Sequence, residues 1–260
     1  MPNKRINLNA DLGEGFGPWH MGDDAAMLDI VASANLACGG HAGDPDTMRR
    51  TVALAQARGV SIGAHPSYPD LQGFGRRPMA LSAGELECQI AFQIGALVGV
   101  AALENTRVTH VKPHGALNNL ACIDRAVADT VCRAIRAIDQ DMILLAPAAS
   151  QLLVAGRAAG LPVVEEIFAD RAYLPDGQLV PRARPDAMIH GADACLAHVL
   201  AMLEAGALIA VDGSRLATAI DSICVHGDSP DAVAVAHHLR QELSARGYQI
   251  LSLPEIVSRT

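Results

Sequence analysis

The chain has 260 residues, half of them hydrophobic, with a formal net charge of -8 and only 3% aromatic residues. That length accommodates one large aliphatic core, which we read as one domain over residues 1–260. The acidic balance and the scattering of Lys and Arg exclude a basic face for nucleic acid, and the shortage of aromatics removes the platforms on which bases or sugars stack.

The first residues, Met1 to Asn9, lack the apolar stretch of a signal peptide, and no later run keeps roughly 18 uncharged apolar residues together. The expectation is a cytoplasmic protein without a membrane span. Six cysteines (Cys38, Cys88, Cys122, Cys132, Cys195 and Cys224) form no C-x-x-C pair. Neither disulfides nor a thiolate zinc site is expected.

Taken in chain order, short apolar runs at 6–10, 33–37, 61–64, 108–111, 143–146, 163–168 and 220–225 predict buried parallel strands. Helical spacing lies between them. One helix spans 46–58 and stops at Gly59; Ser82-Ala83-Gly84-Glu85 is a capping box that opens a long helix toward Leu103. Another helix covers 192–205 before Gly206, and the last starts at Ser229, with Pro230 at its first position, and ends near Gly247. Seven strands alternating with helices suit either a (β/α) barrel or a doubly wound open sheet. Polar residues follow the strands: Asp11 and Glu14, His41 and Asp44, His65, Lys112 and His114, Asp170 and Arg171, then His226 and Asp228. Functional groups at so many strand ends converge best in a barrel, whereas an open sheet concentrates them at one switch point.

Three of these loops carry the chemistry. In Leu36-Ala37-Cys38-Gly39-Gly40-His41-Ala42-Gly43-Asp44 the glycines let the backbone turn tightly ahead of His41. Small residues precede His65 and prolines stiffen the loop after it. In Val111-Lys112-Pro113-His114 the spacing of two puts Lys112 and His114 on one side of an extended chain. Such histidines and carboxylates serve either acid/base work near neutral pH or a divalent metal, and on the metal reading the ligands are Asp11, His41 and His65. The glycine-rich run after the first strand is no phosphate loop, because G-x-x-x-x-G-K-[ST] is absent. It exposes Asp11 and Glu14 instead. Arg171 or Arg182 suits a bidentate clamp on a substrate carboxylate, with an Asp170–Arg salt bridge as the structural alternative. His198, His237 and His238 fall within helices and suit packing roles.

The runs Asn7-Leu8-Asn9-Ala10-Asp11-Leu12-Gly13-Glu14, Ala34 to Asp44, Gly63 to Asp70, Gly73-Phe74-Gly75-Arg76-Arg77, Val111 to Leu117 and Phe168 to Tyr173 resemble the LamB/YcsF family, associated with bacterial 5-oxoprolinase. The resemblance implies a distorted, seven-stranded (β/α) barrel similar to that of polysaccharide deacetylases. It also implies the A-type subunit of an ATP-dependent enzyme that opens the lactam of 5-oxo-L-proline to L-glutamate together with B- and C-type subunits. ATP then binds either here or on a partner subunit. On this reading Asp11, His41, His65, Lys112 and His114 are catalytic, and Glu14, Asp44, Asp170, Arg171 and Arg182 surround the substrate. A divalent metal and a homo-oligomer stay open, and a stand-alone metal-dependent deacetylase or amidohydrolase is the alternative.

Overall fold

The computed structural model describes residues 4–225 and 231–258. Its elements run β1 (Arg5–Leu12), α1 (Asp24–Leu28), β2 (Ser33–Ala37), α2 (Pro45–Ala57), β3 (Ser61–His65), α3 (Ala83–Leu103) and β4 (Val108–Val111). Then follow α4 (Gly115–Ile123), α5 (Arg125–Ile138), β5 (Ile143–Pro147), α6 (Gln151–Ala158), β6 (Val163–Phe168) and α7 (Ala192–Ala205). The chain ends with β7 (Ala207–Ile209), β8 (Arg215–Ala217), β9 (Ser222–Val225), α8 (Ala232–Ala245), β10 (Gln249–Ile250) and α9 (Leu253–Val257).

Strands β1 to β6 pair in sequence, all parallel, and β9 lies between β6 and β1. The sheet thereby closes into a barrel of seven strands, as the strand-end chemistry required. Along β1 the period of two separates the faces: Ile6, Leu8, Ala10 and Leu12 belong to the apolar core, whereas Asn7, Asn9 and Asp11 bond to side chains from other strands inside the barrel. The helices cover the outside. In α5 the residues Val131, Cys132 and Ile135 are buried, and each fully buried aliphatic side chain of this kind contributes about 1.5–3 kcal/mol.

The floor of the barrel is apolar. Ile143, Leu145 and Val164 pack on Leu253, Ile256 and Val257 of α9, which plugs the end opposite the functional loops. Strand β10 continues beside the start of β1, pairing Gln249 and Ile250 with Arg5 and Ile6. The capping box at Ser82 and Glu85 forms as expected. By length and composition α3 alone among the described helices is apolar enough to cross a bilayer, but it is tied into the barrel layer. Its buried Gln93 accepts from the Ser67 backbone N–H at 2.9 Å and donates to the Ser67 carbonyl at 2.7 Å.

Some boundaries moved. The last barrel strand begins at Ser222 rather than 220, because Asp221 already turns to bond Glu165. The β7–β8 hairpin carries too short an apolar run to announce itself. The expected helix start at Ser229 and Pro230, with His226 and Asp228, lies outside the described residues.

One glycine has a plain packing reason. A Cβ on Gly63 would overlap the His110 ring, which is fully buried and held on both sides. Gly63→Ala is therefore expected to destabilise the protein by about 1–3 kcal/mol, the usual cost of overpacking. Urea unfolding reads this as a lower midpoint with an unchanged slope.

Candidate active site

The barrel interior fills with polar side chains at alternate positions of β1, β2, β4, β6 and β9. Asn9 donates to Ser222 Oγ at 2.8 Å and to Glu166 Oε2 at 3.2 Å, and Asn35 donates to Asn9 Oδ1 at 2.8 Å and Asp11 Oδ1 at 2.9 Å. His110 Nε2 donates to Asn35 Oδ1 at 3.1 Å. At the top of this network sits Lys112, only 2% exposed. Its ammonium lies 3.0 Å from Asp11 Oδ1, 3.3 Å from Glu166 Oε2 and 3.0 Å from Cys224 Sγ. Burial alone would neutralise the amine, but Asp11, Cys224 and Glu166 override it and hold its pKa well above the ordinary lysine value. Burial pushes the Glu166 carboxyl up, against the pull of Lys112.

Beside this pair, one ligand atom from each of Glu14, His41, His65 and His114 falls within 4.8 Å of the others. Two of the imidazoles have their tautomers set by backbone carbonyls. His65 Nδ1–H donates to the Lys112 carbonyl at 2.7 Å, and His114 Nε2–H donates to the Phe74 carbonyl at 2.9 Å. The remaining nitrogens, His65 Nε2 and His114 Nδ1, face each other at 2.9 Å, and Asp11 Oδ2 lies 3.3 Å from the first. Two lone pairs and carboxylates turned toward one point require a proton or a cation between them, and carbonyl-anchored imidazoles are the usual arrangement around a metal. The carboxylates of Asp11, Glu14 and Glu166 also outnumber the single ammonium. The residues therefore fit a divalent cation. His41 differs: it stacks on His114 with ring centroids 3.7 Å apart, approaches Glu14 Oε1 at 3.1 Å, and its buried Nδ1 has no partner among the described residues.

Of the expected ligands, His41 and His65 lie in this group together with Glu14 and His114, and Asp11 stands beside it with one oxygen 3.0 Å from Lys112 Nζ and the other 3.3 Å from His65 Nε2. The backbone explains His114: Phe74 at φ 53° and Gly75 at φ 61° make a left-handed turn that aims the Phe74 carbonyl at it, and a Cβ on Gly75 would come within 3.0 Å of both His41 and His114.

A cavity of about 640 Å³ opens above the group. Asp11, Glu14, His65, Lys112 and His114 line it, and so do Arg76, Arg171 and Arg182. His41 faces a smaller apolar cleft on the other side of Glu14, with Phe16, Trp19 and Phe74. Asp44 is not at either cavity. It caps α2, accepting from the N–H groups of Asp46, Thr47 and Gly17, bonds that with the Thr47 hydroxyl hold its pKa down at about 2 despite the cost of desolvation. The structure gives Asp44 this capping role beside its expected place near the substrate. Asp170 lies beside Arg171 without lining the cavity, and His198, read as a packing residue, donates to the Arg171 carbonyl at 3.0 Å. Glu166, Asn9, Asn35, His110 and Arg76 were missed; polar residues alternating within apolar strands were the signal for the first four.

Residues 6–258 match the family model described as LamB/YcsF family. The chain belongs to the LamB/YcsF family. Within it, a protein named as the A subunit of 5-oxoprolinase, from Azoarcus sp. (strain BH72), is 56% identical over 97% of this chain and 98% of its own length. The crystal structure of a lactam utilization protein from Thermus thermophilus superposes with a TM-score of 0.90, at 41% identity, covering 96% of this chain and all of that one. The catalytic domain of a peptidoglycan N-acetylglucosamine deacetylase from Eubacterium rectale covers 97% of this chain and 90% of its own, with a TM-score of 0.52 at 12% identity. That likeness concerns the family's fold alone, and it matches the expected deacetylase-like barrel.

The buried histidines set a pH dependence. Burial, then the charges of Lys112 and His65, push His110 down to about 3. The unfolded chain takes up this proton near 6.5, so between pH 6.5 and 3 it binds more protons than the folded one. Stability is complete above pH 6.5 and falls on acidification, by at most about 1.4 kcal/mol per pH unit for each such histidine. Urea midpoints at pH 7.5, 6 and 5 should decline in that order, and His110→Gln should flatten the decline.

Proposed function

We propose that this chain is the A-type subunit of an ATP-dependent 5-oxoprolinase, a cytoplasmic enzyme completed by B- and C-type subunits, and that its barrel opens the lactam of 5-oxo-L-proline to L-glutamate. The observation that carries the reading is a buried, charged Lys112 beside a His/Glu group at one cavity, in a chain 56% identical to a protein named as the A subunit of 5-oxoprolinase. Five buried cysteines without a disulfide among the described residues accord with a reducing compartment.

A lactam carbonyl is a weak electrophile, and phosphorylation of its oxygen at the expense of ATP makes attack by water feasible at neutral pH. Phosphate-loop chemistry is absent from this sequence, so a partner subunit holds the nucleotide. Here the inner residues divide the work. Glu14, held by His41 behind it, takes the proton from the attacking water as it adds to the ring carbon. Lys112 offers a permanent positive charge to the oxygen on which negative charge develops, at no cost in reorganisation because Asp11 and Glu166 already hold it. The abstracted proton passes by way of the facing His65 and His114 nitrogens to the ring nitrogen as the carbon–nitrogen bond breaks, and the γ-acyl phosphate left behind takes a second water to give L-glutamate and inorganic phosphate. Arg171 or Arg182 clamps the carboxylate. A divalent cation fits among Glu14, His41, His65 and His114, where it would supply Lewis acidity and lower the pKa of water. The same fit favours the second reading, a metal-dependent amidohydrolase acting without ATP.

Glutamate formation from 5-oxoproline decides between them, assayed with this chain alone, with B- and C-type subunits, and with ATP or divalent metal withheld in turn. Turnover only with the subunits and ATP supports the first reading. Turnover by the chain alone, abolished by chelation, replaces it with the second.

Lys112→Met should lower turnover about 100-fold or more, the typical loss of one oxyanion donor. It should also destabilise the fold by about 3–5 kcal/mol, since Asp11 and Glu166 then lose the one ammonium between them. Adding Glu166→Gln should restore much of the stability and none of the activity. Near-normal turnover in the double variant would remove Lys112 from the chemistry.

A further inference from the structure

Glu14 stands in a loop whose sequence dictates little about its shape. The stretch Gly13-Glu14-Gly15-Phe16-Gly17 has three glycines in five residues, and Gly13 and Gly17 take left-handed φ values of 68° and 56°. Glycine adopts such values freely and loses more conformational freedom on ordering than any other residue, so this loop keeps one shape only under constraint from outside. The side chain it carries needs that shape. Glu14 Oε1 lies 3.1 Å from His41 Nε2 and 3.4 Å from His114 Nδ1, and Glu14 lines both the large cavity and the apolar cleft.

Two carboxylates at helix starts supply the constraint, one on each side of Glu14. Before it, the Gly13 N–H donates to both oxygens of Asp24 at 3.2 Å, and the Thr51 hydroxyl of α2 donates to Asp24 Oδ2 at 3.3 Å. Asp24 opens α1 but is not its cap, because Asp23 accepts from the Ala26 N–H. Burial pushes the Asp24 carboxyl up, the Gly13 N–H and the Thr51 hydroxyl pull it down, and the Glu14 charge pushes it up again, so an acid stands here at a cost. After Glu14, the Gly17 N–H donates to Asp44 Oδ2 at 2.8 Å and the Gly43 N–H donates to the Gly15 carbonyl at 2.8 Å. Asp44 has two jobs for its two oxygens. Oδ1 accepts from the Asp46 and Thr47 N–H groups of α2, whereas Oδ2 accepts from Gly17 and from the Thr47 hydroxyl. Only the first is helix capping. Because Asp44 follows His41 by three residues, the second fastens the loop of Glu14 to the loop of His41.

We propose that Asp24 and Asp44 are positioning residues for Glu14: they fix the loop before and after it and so hold its carboxylate against His41 and His114. The proposal rests on the lactam-opening reading, in which Glu14 takes the proton of the attacking water, and adds the residues through which that base is aimed.

Asp44→Asn separates the two jobs. The N–H groups of α2 keep the amide oxygen at the capping position, where asparagine serves as well as aspartate, and the amide nitrogen then faces the Gly17 N–H, donor against donor. The urea midpoint should stay near that of the wild type, while kcat of the reconstituted subunits falls about tenfold or more at unchanged KM, the cost of a misplaced base. Asp24→Ala should lower kcat alike, and Asp24→Asn, which keeps an acceptor for Gly13, should restore it. In a Glu14→Gln background neither Asp44→Asn nor Asp24→Ala should lower the residual kcat further, since groups that act as a unit are not additive. Asp124→Ala, which removes the cap of α5 on the outside of the barrel, should lower the urea midpoint and leave kcat as it is. A second readout uses the full chain alone with isotope-labelled histidines, followed by NMR. Asp44→Asn and Asp24→Ala should move the ring signals of His41 and His114 in the direction that Glu14→Gln moves them, and Asp124→Ala should not. Unmoved histidine signals, or losses of kcat that add in full to that of Glu14→Gln, overturn the positioning and leave ring opening standing. Signals that move as expected, in a chain whose wild type opens no lactam with its subunits, remove the activity instead and keep the positioning of Glu14.

Discussion

A charged lysine in the middle of a barrel is the constraint around which the rest is arranged. Moving an ammonium out of water costs several kcal/mol even after relaxation, and Lys112 stays charged only because Asp11 and Glu166 lie within 3.0 and 3.3 Å of it. Those carboxylates need partners in turn. Asn9 and Asn35 supply N–H donors to them, Ser222 and His110 satisfy the asparagines, and Gly63 leaves the room that the His110 ring occupies. A chain of obligations therefore runs from one ammonium through six strands. It makes the barrel interior a polar network above an apolar plug, and such a network is stable only when nearly every member is satisfied.

The few unsatisfied members are then informative. Glu166 Oε1 and His41 Nδ1 are buried inside the network without partners among the described residues, and Arg171 Nε is so in the cavity wall. They stand at the charged lysine, at the His/Glu group and in the wall of the cavity. The left-handed turn at Phe74 and Gly75 belongs to the same logic, since strained backbone persists where several contacts over-determine it. Here it fixes His114, and through stacking His41, from outside the barrel wall.

How much of this could be read from the chain depended on range. The strands at 33–37, 108–111 and 163–168 were visible because a strand buried on both faces is a short apolar run bounded by turns. The long helix after Ser82 was visible from its capping box. His41, His65, Lys112 and His114 were visible because they follow strands in glycine- and proline-rich loops, and barrels gather strand ends. Glu166 was not, since one acid in Val163–Phe168 looks the same facing solvent or Lys112. Asp44 is a related case: a carboxylate just after a histidine serves a substrate or a helix N-terminus with equal ease, and its capping of α2 through the N–H groups of Asp46 and Thr47 was visible only in the structure.

Local periodicity and loop composition were enough to set the alternation of strands and helices and the side chains able to do acid/base or metal chemistry, and the resemblance of the loop motifs pointed to the family. Which of those side chains share a charge was settled only in the folded barrel. The pairing of Lys112 with Asp11 and Glu166, the gathering of Glu14 and His114 with His41 and His65, and the meeting of Arg76, Arg171 and Arg182 around one cavity join residues far apart along the chain. Coulomb and hydrogen-bond energies depend on distance through space, which barrel closure sets and no local pattern encodes.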